Sequence, residues 1–167
     1  MKKKIHLTIY YLLISTLALV AQYKDDFSGI ILLSPENGSL SISKSVYYFE
    51  DKENSLSFED ILHPEFSDRF TILAKKKANF GYTNSTFWVK FQIRNTHPEI
   101  NDWLLEIEQQ HMDSIGFFYL DRENHWGEKQ YGDMYPFWQR DLDYRSFIIP
   151  LELNDTIIKT YYFRFRT

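Results

Sequence analysis

The chain contains no cysteine among its 167 residues. That excludes disulfides, thiolate metal sites and a cysteine nucleophile together, so an exported domain of this sequence must be held by its core alone. Glycine and proline are sparse, six and five, which argues against low complexity. His63, His97, His111 and His125 stand apart from one another, with no HExxH and no carboxylate-rich calcium loop. The pattern therefore predicts no metal ligands, and no cofactor motif is present. No serine sits in a nucleophile elbow. What is abundant is aromatic: 14 Phe and 12 Tyr raise the aromatic share to 18% and the hydrophobic share to 44%. Aromatic residues suit pleated, half-buried surfaces, so the composition points to a β-rich globular domain. A domain of about 150 residues buries roughly 70% of the surface its unfolded chain exposes, enough for one core.

Lys2, Lys3 and Lys4 precede an apolar run from Ile5 to Ala21, with small Ala18 and Ala21 near its end. This is the layout of a secretory signal peptide over residues 1–21. A retained anchor is the competing reading; at 1.5 Å per residue the run spans roughly 26 Å against a hydrocarbon core about 30 Å thick. Without the three lysines, 16 Lys and Arg face 23 Asp and Glu, a formal charge of about −7 that works against a nucleic-acid partner. Asn37, Asn84 and Asn154 open Asn-x-Ser/Thr triplets, which matter only in a host that glycosylates them.

Residues 22–43 read as a leader or linker, rich in turn residues from Ser34 to Ser39, with a short strand at Ile30 to Leu33. Val46 to Phe49 follows as a strand. Ser57 and Asp60 have capping-box spacing before one helical turn, Phe58 to Leu62, which Pro64 is expected to stop. The clearest strand lies in Asn79 to Asn95, where Phe87, Val89, Phe91 and Ile93 alternate with Trp88, Lys90, Gln92 and Arg94. Further strands are predicted at Trp103 to Gln109, Ser114 to Leu120, His125 to Tyr131, Phe147 to Leu153 and Thr160 to Arg166. Short strands at this spacing fit an all-β fold, an antiparallel β-sandwich or jelly roll, over residues 44–167. The sequence stops directly after a strand, so it is expected to be a fragment of a longer protein or a truncated gene product, its final edge incomplete.

Glu106 and Glu108 fall on one face of a strand, as an acid–base pair on a glycosidic bond would, but a solvated sheet face, with Leu105 and Ile107 on the opposite side, is the favoured reading. His111, Asp113 and Ser114 have triad residue types but alternate sides along a strand. Lys75, Lys76 and Lys77 read as a solvated edge that discourages aggregation. The most informative segment is Tyr131 to Phe147, which gathers Tyr135, Trp138 and other aromatics around Arg140 and Arg145 with Asp133, Asp141 and Asp143 nearby. Flat rings cover the CH faces of sugars while charged forks bond hydroxyls, so Asp133, Tyr135, Trp138, Arg140 and Arg145 are candidate ligand-binding residues. The alternative is a lid on the core whose Arg and Asp pair with one another.

Several pieces occur in order: Val46 to Asp51; Asn79, Phe80, Gly81, Tyr82 and Thr83 with Phe87, Trp88, Val89, Lys90 and Phe91; Trp103 to Ile107 with Asp113; Gly132 and Asp133 with Pro136, Phe137 and Arg140; then Arg145 and Tyr161 to Arg164. Together they resemble the second type of extracellular sensor domain of bacterial seven-transmembrane receptors with diverse intracellular signalling modules (7TMR-DISM). The resemblance covers about residues 44 to 167. Asp141 to Tyr144 depart from the more apolar linker expected between the two arginines. The resemblance implies a jelly roll shaped like carbohydrate-binding modules, after a signal peptide and before seven membrane helices that lead to a cytoplasmic output module. It implies a periplasmic or extracellular location, and homodimers in the full-length receptor fit the same architecture. Asn79, Phe80, Gly81, Tyr82, Thr83, Trp88, Gly132 and Pro136 then serve as structural family markers.

The expected function is non-catalytic sensing of a carbohydrate or other small polar ligand. A protein-contact domain and a glycosidase using Glu106 are the alternatives.

Overall fold

Two-residue alternation becomes nine strands among the described residues, which are 29–73, 83–109 and 111–166 of this computed structural model. The expected signal segment, the Asn79 to Tyr82 markers and the Lys75 to Lys77 run lie outside them. In order, the elements are β1 (Ile30–Leu33), β2 (Tyr47–Asp51), α1 (Phe58–Leu62), α2 (Pro64–Ser67), β3 (Thr71–Ile72), β4 (Thr86–Asn95), β5 (Leu104–Ile107), β6 (Ser114–Leu120), β7 (Trp126–Tyr131), β8 (Phe147–Pro150) and β9 (Lys159–Arg166).

Seven strands form one sheet, six in the order β3-β2-β4-β9-β6-β7 and the seventh, β1, paired with β4 beside β2, and β5 pairs with β8 in a second, two-stranded sheet. β4 organises the large sheet because its ten residues are long enough to share one edge. β2 runs antiparallel along Thr86 to Lys90, and β1 runs parallel along Gln92 to Asn95. That parallel pair departs from the purely antiparallel expectation. β5 and β8 are shorter than the alternation implied, ending at Ile107 and Pro150.

Ser57 caps α1 as its spacing predicts: its Oγ accepts from the Asp60 N–H at 3.2 Å, and its own N–H donates to Asp60 Oδ2 at 2.8 Å. The backbone bond from Ser57 holds the Asp60 carboxyl below the usual carboxylate range. Pro64 corrects the expectation that the helix stops there. It opens α2, where the first helical position needs no N–H donor and suits the fixed φ of proline.

The two faces of the large sheet are both covered. On one face Val89, Phe91, Ile93, Phe117, Tyr161 and Phe163 pack with Phe147 and Ile149 of β8, forming the main core of a sandwich. On the other, Trp88, Phe118 and Tyr162 meet Phe58 and Ile61 of α1 and Phe66 of α2. Phe58 stacks on Phe118 with ring centroids 4.1 Å apart and closes this second, smaller core.

Burial of tyrosine hydroxyls gives the fold an alkaline limit. Burial pushes the Tyr162 phenol up to about 12, and burial with nearby Asp155 and Glu152 raises Tyr161 further. Tyr131 is raised first by burial and then by its bond to Asp141. An unfolded tyrosine ionises near 10, so these groups leave stability untouched below about pH 10 and remove it as pH rises toward 12. Phenolate absorbance and far-ultraviolet circular dichroism, followed together in alkaline titration, should show buried tyrosines ionising with unfolding. Tyr162→Phe should move that transition to higher pH; an unmoved transition would refute the assignment.

Candidate ligand-binding loop

The loop between β7 and β8 is fixed at its base by a close backbone contact. Gly132 has φ +127°, and a Cβ there would lie 2.4 Å from the Asp113 carbonyl oxygen. The next amides continue the contact: Asp133 N–H donates to Met112 O at 2.8 Å and Met134 N–H to Asp113 O at 3.1 Å. Ser114 is the cross-strand partner of Arg166. The loop therefore leaves the sandwich at the end where β9 finishes.

Arg140 then pins the loop to the core. Its guanidinium lies between the rings of Phe137 and Phe147, 4.6 and 4.4 Å from their centroids. Its Nη1 donates to the carbonyls of Tyr144 at 3.0 Å and Arg145 at 3.2 Å, and Nη2 stands 3.8 Å from Asp133 Oδ1. With its side chain 15% exposed, Arg140 holds turns together through both stacking and charge-assisted bonds. Pro136 precedes the single 3-10 turn Phe137–Gln139, whose Gln139 N–H donates back to the Pro136 carbonyl.

Other members are tied to the edge of the sheet. The Tyr135 hydroxyl donates to Gln130 Oε1 at 3.2 Å. Asp141 accepts from Lys129 at 2.9 Å and from the Tyr131 hydroxyl. His111, whose sequence neighbours suggested triad chemistry, instead stands 3.7 Å from Asp133.

The five sequence-nominated ligand residues thus separate into two groups. Asp133, Tyr135 and Arg140 bind other parts of the loop or the adjacent strand, whereas Trp138, 79% exposed, and Arg145 lie at the surface. Around them Met134, Phe137, Leu142 and Tyr144 are also exposed. Sequence reasoning omitted these four from the candidate set, because an apolar side chain near a core-forming strand is ordinarily read as core.

The structural markers are architectural where they can be seen. Trp88 is fully buried in the second core, and the Thr83 hydroxyl bonds that of Ser85 at 3.1 Å in the turn before β4. Beside Trp88, Arg164 reaches Glu128 at 3.0 Å over the space left by Gly116. Glu106 shares the outward face of β5 with Leu104, while Leu105 and Ile107 pack on the main core.

A family model described as 7TMR-DISM extracellular 2 matches residues 43–167. No curated protein matches the chain. The match begins in the turn before β2 and takes in every element from β2 to β9.

Proposed function

We propose, because the chain belongs to the 7TMR-DISM extracellular 2 family, that it senses a carbohydrate or other small polar ligand for a membrane receptor, on the surface of the 131–147 loop. As a member of that family it is an extracellular sensor domain. The observation that carries the ligand reading is the contrast between Trp138 and its support. The indole is 79% exposed, yet its turn is held by Arg140 against the buried Phe147. A ring held out on a fixed turn loses little freedom when a sugar face settles on it.

In this reading Trp138 supplies the platform and Arg145 donates to hydroxyls or a carboxylate. Asp133, Tyr135 and Arg140 keep the loop in shape. A ligand on the loop acts close to the end of β9, from which the chain passes toward membrane helices and a cytoplasmic output module. Two receptor copies can be coupled through the same helices.

Isothermal titration against a glycan and metabolite panel tests the proposal. Trp138→Ala should weaken a detected ligand at least about tenfold, the loss of roughly 1.4 kcal/mol of contact. Arg145→Ala should weaken it as well, and Glu106→Gln should leave it unchanged. Undiminished affinity in Trp138→Ala would remove the loop from consideration.

A further inference from the structure

A concavity of about 260 Å³ opens beside β2 where β3 leaves it. β3 is two residues long and pairs only with Tyr47 and Tyr48, so past Tyr48 no strand flanks β2 on that side among the described residues. Arg69, from the segment before β3, forms one wall and Phe49 another, and the turn after β2 closes the far end with Lys52, Glu53 and Leu56. None of these residues belongs to the 131–147 loop. The Arg69 guanidinium lies 4.9 Å from the ring centroids of both Phe49 and Phe66, which fixes its place. The other ring-stacked arginines each meet a carboxylate, Arg140 at Asp133 and Arg164 at Glu128. Arg69 forms no ion pair among the described residues. A stacked guanidinium whose fork is uncommitted, on the wall of a concavity, is a receptor for a carboxylate.

The turn opposite Arg69 is fixed as well. Asp51 Oδ2 accepts from the Leu56 N–H at 3.0 Å. Asn54 donates to the Asn84 carbonyl at 2.8 Å and accepts from the Thr86 hydroxyl at 2.6 Å. Charge then selects the ligand. Glu50, Asp51 and Glu53 stand against Lys52 and Arg69, so an anion alone meets more acids than bases, and a cation alone leaves the Arg69 fork unmatched. A zwitterion matches both signs. Asp51 is committed to Leu56, and Glu50 accepts from the Ser85 hydroxyl at 2.8 Å. Exposed Glu53, with no ion pair among the described residues, is the acid left for an ammonium. Phe49 and Leu56 offer apolar surface between the charged groups. The volume falls just below the roughly 300–1,000 Å³ of drug-sized pockets, which suits one small molecule.

We infer that this concavity is a second ligand site, for a free α-amino acid with an apolar side chain. The carboxylate takes the Arg69 fork, the ammonium meets Glu53, and the side chain lies against Phe49 and Leu56. The site is independent of the sugar reading of the 131–147 loop.

The test is calorimetric titration of the exported protein with leucine and phenylalanine. Each is matched by the acid that lacks its amine, isocaproate or hydrocinnamate, and by the amine that lacks its carboxylate, isoamylamine or phenethylamine. At least one amino acid should bind about tenfold or more tightly than both of its partners. Arg69→Gln should weaken that binding at least tenfold, and so should Glu53→Gln, an exposed position whose change leaves the fold intact; Trp138→Ala should leave it unchanged. No binding of either amino acid at millimolar concentration would overturn the site. An acid or amine that binds as tightly as its amino acid would overturn the zwitterion, as would affinity that survives Glu53→Gln. Loss of binding in Trp138→Ala would move the ligand to the 131–147 loop and overturn the second site, whereas failure of the amino acids alone leaves the sugar reading standing.

Discussion

Replacing Gly132 with alanine is expected to lower the unfolding free energy by about 3 to 5 kcal/mol, from backbone strain and overpacking together. At φ +127° an L side chain is strained whatever the surrounding space. Here the space is also occupied: the added methyl would sit 2.4 Å from the carbonyl oxygen and 2.8 Å from the carbonyl carbon of Asp113. Backbone on both sides cannot swing away as a side-chain tip can. The relief is separation of the loop base from residues 112 and 113, which breaks the hydrogen bonds that the Asp133 and Met134 N–H groups donate to the Met112 and Asp113 carbonyls. Gly116 is the control. Its added Cβ would meet only side-chain atoms, Glu128 Oε1 at 3.0 Å and Phe118 Cε2 at 3.1 Å, which need give by only a few tenths of an ångström, so Gly116→Ala should cost less than Gly132→Ala. Urea unfolding read by circular dichroism compares the two, and equal losses would show that the Gly132 contact is not rigid.

Phe58→Ala should be the second severe change, costing about 3 to 5 kcal/mol in the range usual for removing a buried phenylalanine. Phe58 is the one α1 residue whose ring meets four aromatic partners: Phe118, Trp88, Trp126 and Tyr162. Its removal opens a cavity against Trp88 and leaves Ile61 as the one fully buried side chain of a five-residue helix. A helix that short has no independent stability, so α1 should detach while the main core on the opposite face persists. Hydrogen exchange should then rise first in residues 57–67. Phe58→Leu, which refills much of the volume, should recover most of the loss; if both variants lose stability equally, the ring geometry matters more than the burial.

The strands were legible where alternation ran long enough. In β4 and β9 a period of two put Val89, Phe91, Tyr161 and Phe163 on one face, and those residues form the main core. The same pattern placed Trp88 and Tyr162 on the other face, two large rings at positions that a solvated sheet would leave polar. That was the sequence signal for the helical cover on the second face. β3 has only two residues, too few for any period, and Pro64 reads as a stop or a start depending on what packs after it. Within the loop, composition singled out the 131–147 segment but not the direction of its side chains. Whether Arg140 points outward depends on Phe147, which belongs to the next strand and to the core. Local sequence does not carry that long-range choice, so Arg140 and Arg145 look alike in the chain and differ in the fold.

The strand order has a consequence for how this protein is made. β9, the last strand, lies between β4 and β6, hydrogen-bonded to both. Until residues 159–166 have emerged, the half of the sheet built on β4 and the β6–β7 hairpin have no edge in common. Domains whose early segments pair among themselves can fold as they are synthesised, but here completion waits on pairings such as Phe87 with Phe165, far apart in sequence and slow to close. The sheet thus remains open until β9 is delivered, a state that suits passage across a membrane and that also exposes Trp88 and the β4 edge to aggregation for as long as delivery takes.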